Sequence, residues 1–87
     1  MNSPPTLEFP CAYPLKVMGR DNVEFRAAAR AIVERHIGPL PEAIVTSRAS
    51  SEGNFLAITF AITAESRAQL DALYHELSSC PEILVAL

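Results

Sequence analysis

The sequence has no tryptophan, only two cysteines and three glycines, and no long apolar run. Two cysteines do not make a disulfide scaffold. Nothing approaches the ~20 consecutive apolar residues of a membrane-spanning helix, so no membrane association is expected. A basic excess is also missing. Seven Lys and Arg stand against ten Asp and Glu, a net charge of −3, which argues against nucleic-acid backbones and anionic bilayers as partners. The first ten residues carry neither the basic cluster nor the apolar stretch of a signal peptide, which predicts a cytoplasmic location. No His, Cys, Asp or Glu cluster has metal-ligand spacing, and no cofactor motif is present. What is there is 87 residues with 49% hydrophobic and 20% charged content, enough for one small globular domain and too apolar for a disordered one.

Hydrophobic periodicity divides the chain. Residues 1–12 read as a proline-rich lead-in, with Pro4, Pro5 and Pro10 restricting the backbone, and residues 13–87 as the domain. Tyr13, Leu15 and Val17 alternate with Lys16 and Met18 as a first strand. Asp21-Asn-Val-Glu24 predicts a capping box, with Asp21 as the cap. Behind it Phe25, Ala29, Ile32, Val33 and His36 recur at helical spacing until Gly38-Pro39. Residues 43–49 form a second strand, Ser50 to Asn54 a turn, and 54–63 a third strand with Leu56, Ile58, Phe60 and Ile62 on one face. Thr63 or Ser66 caps a second helix, Ser66-x-x-Gln69 fitting the capping box and Thr63 offering a competing start, and Leu70, Leu73, Tyr74 and Leu77 mark its buried stripe. Residues 82–87 supply a last strand. The order strand, helix, strand, strand, helix, strand predicts an α+β ferredoxin-like βαββαβ sandwich. Its four-stranded antiparallel sheet has order 4-1-3-2, with two helices on one face.

That topology constrains the chemistry. Cys11 and Cys80 fall at opposite ends of the sheet, too far apart for a disulfide. His36 reads as a half-buried ring at a helix C-terminus. Glu65, Asp71 and Glu76 read as solvated helix charges. No catalytic constellation emerges. Gly19, Arg20, Asp21 and Asn22 join a strand to a helix N-terminus, where outward amides can hold an anion, and they form the candidate ligand-binding loop. Arg20 with Asn54 also invites comparison with acylphosphatases, a hydrolase reading of the same loop. Against both, Asp21 occupies the cap and its carboxylate repels anions.

The other face of the sheet carries Lys16, Met18, Phe55, Ala57 and Thr59, with Ala61 and Leu84 beside them. A contiguous mixed patch on a small protein marks a partner surface, unless Phe9 and the lead-in fold back over it. The leading expectation is a non-enzymatic interaction or regulatory module with an unidentified protein partner. It acts through this face or through an edge strand. The apolar run Glu82-Ile-Leu-Val-Ala-Leu87 offers such an edge, while Pro81 at its entrance and a carboxylate at Leu87 oppose tight pairing. A monomer or weak dimer is expected.

Several segments together carry a family resemblance. They are Leu7-Glu-Phe-Pro10, Tyr13-Pro-Leu-Lys-Val-Met-Gly19, Arg35-His36, Ser50-Ser-x-Gly-Asn-Phe55 and Leu73-Tyr-x-x-Leu77. In combination the chain resembles the YbeD-like proteins, a bacterial family of unknown function, from about residue 7 to Leu87. The resemblance implies a ferredoxin-like fold similar to ACT regulatory domains, hence the alternative of a small-ligand sensor at residues 19–22. It also implies a link to lipoate metabolism. It implies no catalytic residues and no cofactor. Met18-Gly-Arg-Asp-Asn-Val23 keeps the glycine of an ACT ligand loop without the usual pattern around it.

Overall fold

The computed structural model describes residues 8–87; the part of the proline-rich lead-in that falls on residues 1–7 lies outside them. Four strands and two helices follow the predicted order. They are β1 (Cys11–Arg20), α1 (Val23–Ile37), β2 (Val45–Ala49), β3 (Phe55–Ala64), α2 (Arg67–Ser79) and β4 (Val85–Ala86), with a 3-10 turn at Glu42–Ile44. The sheet runs β2-β3-β1-β4, every neighbouring pair antiparallel. This is the ferredoxin-like arrangement.

Alternation along the strands sorts side chains onto two faces. Leu15 and Val17 of β1, with Leu56, Ile58, Phe60 and Ile62 of β3, are buried beneath the helices. Phe25, Ala29, Ile32 and Val33 of α1 and Leu70, Leu73 and Leu77 of α2 meet them there. The register follows from this core: Leu15 stands opposite Phe60, Val17 opposite Ile58, and a slip of one residue would turn the whole apolar set to water. Tyr13 of β1 and Tyr74 of α2 share a hydroxyl–hydroxyl hydrogen bond of 2.9 Å, their rings edge to face. Burial first, then this bond, raises the Tyr74 phenol above its ordinary range. Phe9, at the mouth of β1, packs against the core cluster.

Four expectations change in detail. β1 begins at Cys11 and ends at Arg20, because the chain from Cys11 onward already pairs with Ala64 and Thr63 of the long third strand. The cap of α1 is Asn22, not Asp21. The Asn22 side-chain oxygen accepts from the Phe25 amide at 2.7 Å, while Asp21 is drawn into a 2.6 Å ion pair with Arg26. β2 begins at Val45, since Glu42–Ile44 turn first. β4 is only Val85–Ala86. The chain after Pro81 is still turning, with the Ile83 amide bonded to the Cys80 carbonyl, and Ile83 enters the core. Main-chain bonds of Leu84 to Met18 and of Leu87 to Lys16 extend the contact at both ends. Of the two candidate caps of α2 the structure takes Ser66, Thr63 still belonging to β3: the Ser66 hydroxyl accepts from the Gln69 amide at 3.1 Å, and the Gln69 side chain accepts in return from the Glu65 amide.

Candidate functional site

The face of the sheet away from the helices is built by the same alternation that builds the core. Across β3 and β1 it pairs Thr59 with Lys16, Ala57 with Met18 and Phe55 with Arg20. β2 adds Thr46 opposite Thr59 and Arg48 opposite Ala57. β4 adds Val85 opposite Met18 and Leu87 opposite Lys16, through a mutual pair of main-chain hydrogen bonds. Lys16, Met18, Phe55, Ala57 and Thr59 therefore form one contiguous surface. No helix covers it. Phe55 is 44% exposed, Val85 41% and Leu87 62%.

The side-chain charge of this face is one-sided. No Asp or Glu occurs in any of the four strands. Lys16, Arg20 and Arg48 are exposed and make no ion pair among the described residues. Of the other four arginines, Arg26, Arg30 and Arg35 of α1 are paired, to Asp21, to Glu34 and Glu42, and to Glu76, while Arg67 at the start of α2 makes no ion pair among the described residues. The Arg20 guanidinium instead lies over the Phe55 ring, 5.5 Å from its centroid, in the range of a cation–π contact. Two shallow depressions dent the face on either side of Arg48. One of about 210 Å³ is lined by Lys16, Thr46, Arg48 and Thr59; one of about 330 Å³ is lined by Met18, Arg48, Ser51 and Phe55. Periodicity finds Lys16, Met18, Phe55, Ala57 and Thr59. It leaves out Thr46, Arg48 and Val85, which join only when the register of the edge strands is known.

The loop candidates are distributed differently. Gly19 is buried, and a Cβ there would run into the Phe25 ring and come within 2.8 Å of the Glu82 carbonyl oxygen. Close packing explains this glycine. Arg20 belongs to the open face. The Asp21 amide donates to the Asn54 carbonyl at 3.1 Å while its carboxylate holds Arg26, and Asn22 caps α1. Side chains and backbone of the loop are thus engaged with the chain itself.

On the helix side, Glu76 is a partly exposed charge that is paired rather than free. Arg35 donates to one of its carboxylate oxygens, and His36 Nε2 lies 2.7 Å from the other. The bond from Arg35, and then the one from His36, hold the Glu76 carboxyl below the usual carboxylate range. Cys11, at the start of β1, and Cys80, at the end of α2, are free thiols. Among the described residues no three His, Cys, Asp or Glu side chains gather as a metal site, and no helix is long and apolar enough to cross a membrane.

The sequence matches known proteins along almost its whole length. The model of a family described as protein of unknown function (DUF493) matches residues 4–87. A UPF0250 protein of Chromobacterium violaceum is 42% identical over 80 residues, 92% of this chain and 90% of the relative. One from Neisseria gonorrhoeae is 38% identical over 86 residues, 99% of this chain and 94% of the relative. One from Leptothrix cholodnii is 42% identical over 81 residues, 93% and 89% of the two chains.

Proposed function

The chain belongs to the DUF493 family of proteins of unknown function, and for it we propose a non-enzymatic interaction or regulatory module that docks a protein partner on the open face of its sheet. The observation that carries this reading is the exposure of Phe55 at one end of an open sheet face that also includes Met18, Val85 and Leu87. Aromatic residues, methionine and arginine are the types enriched at protein interfaces, and Phe55, Met18 and Arg20 bring all three to this face. The β1 and β3 backbones are consumed by the sheet ladder, so recognition on this face runs through side chains.

The test compares what the full chain captures with and without the anchor. Wild type, Phe55→Ala and a helix-layer control, Ala72→Gln, are immobilised and exposed to the same extract. The reading expects specific partners held by wild type and Ala72→Gln to be lost from Phe55→Ala. Identical captured sets for all three would overturn it.

A further inference from the structure

Resting on the docking reading above, we infer that the partner presents a carboxylate-rich helix, held between Lys16 and Arg20 on one side and Arg48 on the other. The argument begins with charge. In a chain of net charge −3, the open face carries three cations and no Asp or Glu side chain. The cations of α1 are each neutralised by a neighbouring carboxylate, whereas Lys16, Arg20 and Arg48 have no carboxylate partner among the described residues. A cationic surface on an acidic protein draws acidic surfaces to that face and turns its other faces away.

Spacing points to a helix. Lys16 and Arg20 are four residues apart on β1, about 13 Å along an extended strand. β1 and β2 flank β3, which sets Arg48 about 10 Å to the side, two strand spacings away. Between these walls the floor is low: Ala57 and Thr59 of β3 stand between Arg48 or Thr46 and Met18 or Lys16. A helix is about 10 Å across and repeats a face every two turns, about 11 Å. Laid along β3, it places carboxylates two turns apart beside Lys16 and Arg20, and one from its opposite flank beside Arg48. Phe55, with Arg20 above it, closes one end of the trough.

The probe is a synthetic peptide of about 20 residues, long enough to be substantially helical, with glutamates two turns apart along one flank and one glutamate on the opposite flank. An otherwise identical peptide with glutamines and a single-stranded RNA oligomer serve as comparisons. Amide chemical shifts of the full chain are followed during titration. The expected result is a shift pattern confined to the open-face strands, with the glutamine peptide about tenfold weaker or worse. Lys16→Gln and Arg48→Gln, exposed and so without consequence for folding, should each weaken the glutamate peptide severalfold, and rising salt should weaken it further. Equal binding of the two peptides, shifts confined to α1 and α2, or tighter binding of the RNA on the same face would overturn the inference. So would self-association in sedimentation that these substitutions abolish, since a second copy would then own the face. None of these outcomes alters the Phe55→Ala capture result, which tests docking as such.

Discussion

The Arg20 guanidinium carbon lies 5.5 Å from the centroid of the Phe55 ring, the two residues standing opposite each other at the last pair of the β1–β3 ladder. The contact takes Arg20 out of the loop before α1 and commits it to the sheet face. It also holds a half-exposed aromatic ring in a fixed place, which lowers the entropy a partner must remove on docking.

Phe55→Ala should therefore separate stability from binding. The ring is 44% exposed, and an exposed cation–π contact contributes about 0.5–1 kcal/mol. Urea melts should show a loss of about 1 kcal/mol or less, while docking is abolished. A loss of several kcal/mol would mean that the ring is part of the core.

One position inside the hairpin reverses that pattern. Phe60 is 1% exposed, and Phe60→Ala should cost about 3–5 kcal/mol through the cavity it leaves. Ala61, one residue on, faces water, and Ala61→Ser should cost well under ~1 kcal/mol. Urea midpoints in the opposite order would place the register one residue out.

At the start of α1, Asn22→Ala should cost about 1 kcal/mol as a lost cap. Asp21→Ala, which removes an ion pair to a largely exposed Arg26, should cost less, within about 0–1 kcal/mol. Equal losses, or a larger loss for Asp21, would return the cap to the position that the sequence pattern favours.

Gly19→Ala tests whether this glycine serves packing. Its added methyl meets the Phe25 ring and the Glu82 carbonyl, and overpacking of this kind costs about 1–3 kcal/mol. Trimming the ring with Phe25→Leu should make the double variant less destabilised than the sum of the two single ones. Strict additivity would show that the two positions do not press on each other.

Glu76 gives the chain an acid-sensitive contact. Its folded carboxyl titrates below the usual range, because Arg35 and then His36 bond to the charged form. A depressed folded pKa contributes stability above the unfolded value of about 4.3, and that contribution is lost as pH falls through the folded pKa. Wild type should outlast Glu76→Gln in urea at neutral pH, and the two should converge as pH falls below about 4. A gap that stays constant down to acid pH would show that the ionised carboxylate contributes nothing.

Legibility followed the range of the interaction. Strand β3 was readable because its strict alternation from Phe55 to Ala64 records a one-sided core, and the Ser66–Gln69 cap because both partners lie within one turn. Asp21 and Asn22 are equally good caps by type, and the choice between them was made by Arg26, a turn further on. The Glu76 contacts were hidden because Arg35 and His36 lie 41 and 40 residues away. Residues 82–87, five of them apolar, read as one strand, but the turn after Cys80 and the insertion of Ile83 into the core shorten it. Of the open face, the β1 and β3 residues were visible in the pattern. Arg48 was not, because β2 is polar and its register depends on pairing with β3.

The central claim, that the open face is where a partner docks, is tested most directly by placing a photo-crosslinking side chain at Ala57, in the middle of that face, or at Ala72, exposed on α2, and irradiating living cells that carry the full chain. The account predicts a discrete crosslinked product from position 57 that is lost with Phe55→Ala and is missing from position 72. A product formed from position 72 and not from position 57 would contradict it.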